Sequence, residues 1–458
     1  MLLPLVSSVI FKEQTFLMYT FCVLLCLLCG FALTIKAPKD RAMYAREGFV
    51  TVALSWIVIS IFGALPFVFS GYITSFVDAL FETVSGFTTT GASILSDVEA
   101  LPKSLLLWRS FTHWIGGMGV LVFLVAILPL CGGKNMHLLR AESTGPSVSK
   151  LVPKVRSSAK ILYCIYASLT VAQIILLLIG KMSLFEAVTT AFGTAGTGGF
   201  GIKNSSMAEY SPYIQNVVSI FMIIFGVDFT VYYLLLMRKF KTGLRSEEVR
   251  TYLCIIAVAT LIIGFDCRHL YSSISQNLTH SLFQVSSIIT TTGFATVDFD
   301  KWPQLSSTIL VLLMFVGACA GSTGGGMKVS RIIILIKSVF KEIKLAVRPN
   351  SLYKVKLTGR FVEHETMRVT NVFAVSFVAI YVISILIISL DNFDFTTNFT
   401  AVAATINNIG PGLAQVGPTQ NFSIYSPLSK LVLILDMLVG RLEIFPMLVL
   451  FSPYTWKK

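Results

Sequence analysis

Apolar runs close to 20 residues recur along this chain, and about 20 residues is the length an α-helix needs to cross a bilayer. They fall at Thr15 to Ile35, Phe49 to Phe69, Leu105 to Leu130, Ile161 to Gly180, Ile214 to Leu236, Thr251 to Phe265, Ser307 to Ala320, Asn371 to Leu390 and Leu428 to Leu450. The Ser307 run is interrupted at its inner end. The opening run, Leu2 to Phe11, is short for a span and reads as the tail of a helix that begins upstream. Lys12, Glu13 and an immediate second apolar run argue against a cleavable signal.

Composition agrees. Hydrophobic residues make up 55% of the 458 and charged residues 13%, against about 25% charged in a soluble domain. The mean hydropathy is +0.78. The net charge of +13 would suggest nucleic acid in a soluble protein. Here the basic residues gather in alternate loops instead: Lys36 to Arg46, Lys134 to Lys160, Arg238 to Arg250, Lys328 to Arg368, and Lys457 with Lys458. These hold 27 of the 36 Lys and Arg, so this side and the C-terminus are expected to be cytoplasmic. Most of the eight cysteines lie inside apolar runs, so no disulfide framework is expected.

On the opposite side, each pair of long spans encloses a shorter, semi-polar stretch ending in glycine: Phe76 to Ala92, Phe185 to Gly201, Ser281 to Thr296 and Asn398 to Gly412. Aligning Gly91, Gly199, Gly293 and Gly410 gives repeats roughly 100 residues long. Leu80-Phe81-Glu82 precedes Gly91 at the distance that Leu282-Phe283-Gln284 precedes Gly293. The fold expected is an all-α polytopic membrane protein. Four tandem helix–pore loop–helix repeats surround one pore in pseudo-fourfold arrangement, with an N-terminal membrane helix or helix pair added. Its parts are 1–48 (N-terminal segment and linker), 49–133 (repeat 1), 134–160 (linker), 161–240 (repeat 2), 241–345 (repeat 3), 346–370 (linker) and 371–458 (repeat 4).

Irregular backbone at membrane depth is tolerated only where it is buried in protein or lines a wet cavity. Four glycine loops around one axis can turn carbonyls inward and replace the hydration shell of a cation. Glycine reaches φ > 0 and keeps side chains out of a narrow lumen. Each half-helix would aim its negative C-terminal end at the axis. The reading places a selectivity filter at Thr90, Gly91, Thr197, Gly198, Gly199, Thr292, Gly293, Ile409 and Gly410, with Thr90, Thr197, Thr292 and Ile409 as the residues preceding the glycines. A ring without fixed carboxylates favours a weakly hydrated monovalent ion over a divalent one.

Several segments are similar to one family. SGFTTTGAS from Ser85, GGMGVLVFLVAILP from Gly116, TTTGFAT from Thr290, AGSTGGGMKVSR from Ala320, NNIGPGL from Asn407 and GRLEIFP from Gly440 resemble signatures of the Trk/Ktr/HKT superfamily of potassium transporters, within it the TrkH type. The extra span before the first repeat favours that type over the KtrB type. The resemblance covers essentially the whole chain. It implies potassium uptake across a bacterial plasma (inner) membrane and no enzymatic activity. It also implies a homodimer with one pore per subunit and a cytoplasmic TrkA-type ring that binds adenine nucleotides. Potassium at the filter is then the only metal, and any nucleotide sits on the partner, with no organic cofactor in this chain. Anionic lipid is expected at the basic loops, and nucleic acid is not a partner.

Gly324, Gly325 and Gly326 in succession cannot continue a stable helix. The stretch Gly321, Ser322, Thr323, Gly324, Gly325, Gly326 is a small flexible backbone below the filter, and the resemblance makes it a gate. Arg441 sits inside the last apolar run, where a charge is costly and usually functional. It reads first as an electrostatic barrier in the pore. The alternatives are a clamp on carbonyls of the glycine loop, or an ion pair with Glu443 or Asp228. Asp228 stands where the family tends to have asparagine. It is expected either to attract cations in the cavity or to pair with Lys328 or Arg441. Asp78, Glu82 and Glu186 could concentrate cations at the mouth or simply be solvated. Gly196, Gly198 and Gly201 spell G-x-G-x-x-G without the strand that a dinucleotide site needs. The histidines show no metal-ligand spacing, and no catalytic constellation is evident.

Overall fold

The computed structural model describes residues 1–35, 45–119, 155–239, 243 and 245–456. Sequence expectations for Lys36, Lys39 and Arg41, for Cys131, for most of Lys134 to Lys160 and for Lys457 and Lys458 lie outside these residues.

In hydrocarbon every backbone amide must find its partner within the protein, and helices do this locally. Five described helices are long and apolar enough to cross a membrane by length and composition. They are α2 (Phe16–Thr34), α3 (Ala45–Phe69), α6 (Val155–Ile179), α10 (Glu247–Asp266) and α14 (His364–Ile388). The last four each open one repeat. A buried half-helix follows in each: α4 (Phe76–Phe87), α7 (Leu184–Gly196), α11 (Ile274–Ile289) and α15 (Phe395–Ile406). Each starts on a residue whose side chain caps a backbone N–H: Ser75, Ser183, Ser273 and Asp394. Each second helix starts at a proline or a Ser-Pro step: α5 (Lys103–Met118) after Pro102, α8 (Pro212–Phe225) after Ser211, α12 (Gln304–Val316) after Pro303 and α16 (Pro427–Arg441) after Ser426. Proline suits the first turn, where its missing N–H would have no helical acceptor.

All four second helices are short, 16, 14, 13 and 15 residues. Here the structure departs from the sequence reading, which expected only the third to be interrupted. Gly119 (φ 74°) stops α5 and Gly317 (φ 73°) stops α12. The run Ile214 to Leu236 is not one continuous helix. It breaks at Gly226–Asp228, and α9 (Phe229–Leu236) leaves α8 at 90°. Leu428 to Leu450 breaks where Glu443 (φ 57°) and Ile444 (φ 68°) turn the chain into α17 (Phe445–Phe451). Each break carries glycine and charge, Gly226 with Asp228 and Gly440 with Arg441 and Glu443, but the apolar residues on either side keep the whole run hydrophobic, so mean hydropathy alone does not register them.

At the N-terminus, α1 (Leu2–Ile10) and α2 brace repeat 1. Glu13 accepts from the backbone N–H of Lys103 (2.7 Å) and of Ser104 (3.1 Å), capping α5. Beyond α13 (Val329–Val347), a small hairpin of β1 (Lys356–Leu357) and β2 (Arg360–Phe361) pairs Lys356 with Phe361. A four-residue α18 (Pro453–Trp456) ends the described chain.

Candidate ion pathway

The four half-helices end in the same way. The amides of Thr90, Gly198, Thr292 and Ile409 donate to the carbonyls of Ser85, Gly193, Ser287 and Ala404, five residues back, at 2.8–2.9 Å. Before these positions stand Thr89, Thr197, Thr291 and Asn408, all left-handed with φ of 55–59°. After them come Gly91, Gly199, Gly293 and Gly410, with φ of 80°, 76°, 85° and 105°. This register corrects one residue of the sequence reading. Thr197 is the counterpart of Thr89 and Thr291; the residue equivalent to Thr90 and Thr292 is Gly198.

A Cβ added at Gly91 would fall on the carbonyl oxygen of Gly198, and one at Gly199 on that of Thr292. One at Gly293 would fall on that of Ile409, and one at Gly410 would lie 2.8 Å from that of Thr90. Each loop therefore abuts the carbonyl of the next, and the fourth returns to the first. The four segments form a closed ring with glycine at every contact.

Side chains hold the ring from behind. Asn408 Nδ2 donates to Thr90 Oγ1 and to the Met437 carbonyl, both at 2.9 Å. Hydroxyl pairs link Thr88 with Thr90 (2.8 Å) and Thr290 with Thr292 (2.7 Å). His113 is fully buried. Its Nε2 accepts from the Phe200 amide at 3.2 Å, so Nδ1 carries the proton and donates to the Gly86 carbonyl at 2.8 Å. That ties half-helix α4 to the second loop. The sequence reading set the histidines aside for want of metal-ligand spacing and missed this bridge.

The outer loops are laced in the same cyclic order. Asn204 accepts from the Val98 amide (2.8 Å) and donates to Asp97 (2.8 Å). The Met207 amide donates to Ala295 (2.9 Å), the Ala414 amide to Asp300 (2.9 Å) and the Phe422 amide to Ser93 (2.9 Å). The bond from Asn204 holds Asp97 below the usual carboxylate range, and Lys203 does the same for Glu209. Three carboxylates read as possible mouth charges have other partners. Glu82 is buried against Arg109 at 2.8 Å. Asp78 holds Lys430 at 2.6 Å, and Glu186 closes a capping box with Ser183. Arg109 also donates to the Gly201 carbonyl (3.1 Å) and lies 4.1 Å from the Phe200 ring centroid.

Beneath the ring lies the segment from Gly317 to Lys328, non-helical as its glycines require. Gly321 and Gly326 both have φ of 75°. The Gly325 amide donates to Thr291 Oγ1 (2.6 Å), and Thr197 Oγ1 donates to the Thr323 carbonyl (3.0 Å). Ser322 Oγ donates to Cys319 (2.6 Å) and accepts from the Gly324 amide (3.3 Å). Lys328, buried and at φ 76°, donates to the Gly324 carbonyl. Arg441 Nη1 donates to the Thr323 carbonyl at 2.8 Å, and Nη2 donates to Gly116 and Gly117 at the end of α5.

Expected ion pairs in this region are rearranged. Glu443 pairs with Arg331 of α13. Asp228 caps α9 through the Thr230 amide (2.8 Å) and packs on Gly321, and among the described residues no ion pair joins it to Lys328. Lys328 and Arg331, counted above with a cytoplasmic loop, are buried beneath the ring. A residue the sequence did not single out, Glu248 on α10, accepts from the amides of Ala320 (2.6 Å) and Ser330 (3.1 Å). One carboxylate thus fastens both ends of the loop.

A ring of inward-bent, glycine-bearing loops in a polytopic helical bundle defines a membrane transport protein rather than an enzyme. The family model described as "Cation transport protein", TrkH, matches residues 12–458. The chain is 37% identical to the Trk system potassium uptake protein TrkH of Escherichia coli K12, over 100% of this chain and 96% of that one. It is 34% identical to the Trk system potassium uptake protein TrkG of the same organism, over 100% and 95%. The crystal structure of the potassium transporter TrkH from Vibrio parahaemolyticus superposes with a TM-score of 0.88 at 32% identity, covering 100% of this chain and 96% of that one. This chain belongs to the TrkH family of transport proteins.

Proposed function

We propose that this protein takes up potassium across the bacterial inner membrane through the ring formed by Gly91, Gly199, Gly293 and Gly410. The carrying observation is the cyclic contact of each glycine with the neighbouring loop's carbonyl. The carbonyls of Thr90, Gly198, Thr292 and Ile409 are the filter oxygens of this reading, and the half-helix ends add negative potential. The membrane potential supplies about 2.3 kcal/mol per charge for each 100 mV, enough for accumulation without a catalytic residue.

The Gly317–Lys328 segment is the gate of this reading, and Arg441 its latch. The bonds from Arg441 to Thr323, Gly116 and Gly117 favour a clamp on carbonyls over a bare electrostatic barrier. Regulation enters from the cytoplasm. Glu247 pairs with Lys337 of α13 and accepts from the Thr358 amide of the hairpin (3.1 Å), while its neighbour Glu248 fastens the loop. A TrkA-type ring binding adenine nucleotides is the partner of this reading, acting on a homodimer whose basic loops and C-terminus face the cytoplasm beside anionic lipid. The test is rubidium uptake by cells lacking their own potassium systems. Expression of this chain should restore saturable uptake that sodium does not suppress, and no uptake with or without a cognate ring protein would refute the reading.

A further inference from the structure

Behind the fourth loop, the protein interior holds a carboxylate that faces no cation among the described residues. Asp436 lies near the inner end of α16 and is 2% exposed. Its Oδ1 accepts from Ser384 Oγ of α14 at 2.7 Å. Its Oδ2 is buried and has no hydrogen-bond partner among the described residues. The charged groups on the surrounding elements have other partners. On α16 itself, Lys430 holds Asp78 of α4, and Arg441 donates to carbonyls. Glu82 of α4 holds Arg109. On α14, Tyr381 donates to the Phe399 carbonyl at 2.8 Å, Arg368 pairs with Glu365, and His364 stands at the far end of the helix. Neither α15 nor α17 carries an Asp, Glu, Lys, Arg or His.

An ionised carboxylate buried without a counter-charge is strongly disfavoured, and such a group takes up a proton instead. A serine hydroxyl and one carboxylate are too few oxygens for a metal cation. The next residue connects the site to the ring: the Met437 carbonyl holds Asn408, which holds Thr90.

We propose that Asp436 is a proton-binding site whose occupancy keeps the ring in its selective form. The ligand is a single proton, bound as the carboxylic acid and released to water as the carboxylate forms. Ionisation leaves a charge that draws water between α14 and α16. The Met437 carbonyl then shifts, and the Asn408 bridge to Thr90 loosens. The proposal rests on reading the glycine ring as the filter.

Infrared difference spectroscopy of the whole protein in lipid, comparing wild type with Asp436→Asn, tests protonation directly. A carboxylic-acid carbonyl band should be present at neutral pH, absent in Asp436→Asn, and lost from wild type at alkaline pH. Rubidium-over-sodium selectivity in liposomes should fall several-fold between neutral and alkaline pH in wild type and stay level in Asp436→Asn. Identical spectra, or identical pH profiles of selectivity, would overturn the proposal. If Asp436→Asn does not assemble, Ser384→Ala carries the spectroscopic test, because removing the bonded hydroxyl should shift the band; an unshifted band overturns the assignment. Failure of the filter reading is distinguishable, since it would appear as unaltered selectivity in glycine variants while leaving this band in place.

Discussion

Arg441 holds the Thr323 carbonyl at 2.8 Å with one guanidinium nitrogen while the other reaches Gly116 and Gly117. One side chain thereby ties the Gly317–Lys328 loop of repeat 3 to the end of α5 in repeat 1. A planar fork places its donors on separate nitrogens that face opposite sides, whereas an ammonium bears its three donors on a single atom. Arg441→Ala should raise basal rubidium flux several-fold by releasing the loop. Arg441→Lys separates the two roles proposed for this residue. A barrier needs only the charge and would survive, whereas the clamp should be lost and flux should rise nearly as much as with alanine.

The ring predicts its own sensitivity. A side chain at Gly199 or Gly293 meets the next loop's carbonyl and also requires φ near +80°, which costs an L-residue about 1–2 kcal/mol. Gly199→Ser and Gly293→Ser should lower potassium-over-sodium discrimination about tenfold or more while the protein still elutes as a folded species. Sodium competition against rubidium uptake is the measurement, and unchanged competition in both variants would remove the ring from the permeation path.

The repeat architecture was legible because four semi-polar, glycine-ended stretches interrupt apolar runs at similar spacing. In repeat 2 the alignment on Gly199 already sets Gly198, not Thr197, opposite Thr90 and Thr292, and the Gly198 amide makes the bond that theirs make. The backbone conformation of these loops was not legible. Left-handed threonine is uncommon, so nothing local announces Thr89, Thr197 and Thr291 as the turning points. The break after α8 is likewise tertiary: the Cys319 amide donates to the Gly226 carbonyl (3.0 Å) and the Phe229 amide to the Gly321 carbonyl (3.1 Å). Glu248 reads in sequence as an ordinary acid in a helix's first turn. Only the fold brings Ala320 and Ser330 to it.

Glu248 therefore carries a prediction of its own. Removing its carboxylate leaves the half-buried Ala320 amide and the buried Ser330 amide without this acceptor, and the buried one alone costs about 1–3 kcal/mol. Glu248→Ala should raise flux in the absence of any cytoplasmic partner and blunt the response to one. Glu248→Gln keeps an acceptor oxygen and should lie between alanine and wild type. Flux and regulation unchanged in Glu248→Ala would show that the loop is held elsewhere.

Acid should loosen the outer face. Asp97 and Glu209 are held below the usual carboxylate range, by Asn204 and by Lys203 respectively. A depressed folded-state pKa means the carboxylate's stabilisation is complete above the unfolded value, about 4 for these groups, and is lost as pH falls through the folded value. Both groups are exposed, so the effect is modest. Thermal melting in lipid should be level from pH 7 to about 5 and decline below about 4. Asn204→Ala should lower the melting temperature at pH 7 and flatten part of that decline, and a decline identical to wild type would assign it to other carboxylates.

The buried pair of Glu82 and Arg109 gives the sharpest contrast between single and double replacement. Glu82 accepts from Arg109 Nε at 2.8 Å, from Ser93 Oγ at 3.0 Å and from the Ile94 amide at 3.0 Å. Arg109 in turn holds the Gly201 carbonyl and the Phe200 ring. The pair joins the segment after the first glycine to the segment after the second. Desolvation cancels much of the mutual attraction of two buried charges, so the pair itself adds little to stability. Leaving either charge alone is another matter, at about 3–5 kcal/mol. Glu82→Gln keeps an acceptor for Ser93 and Ile94 but strands the guanidinium, and Arg109→Met strands the carboxylate. Each single variant should lower the melting temperature markedly and reduce selective flux together with it. The double variant should recover most of the melting temperature, because no charge remains uncompensated. Selectivity should recover less, since Gly201 and Phe200 still lack their anchor. If the two single losses simply added in the double variant, the residues would act independently, and the bridge between the first and second loops would have to run through His113 instead.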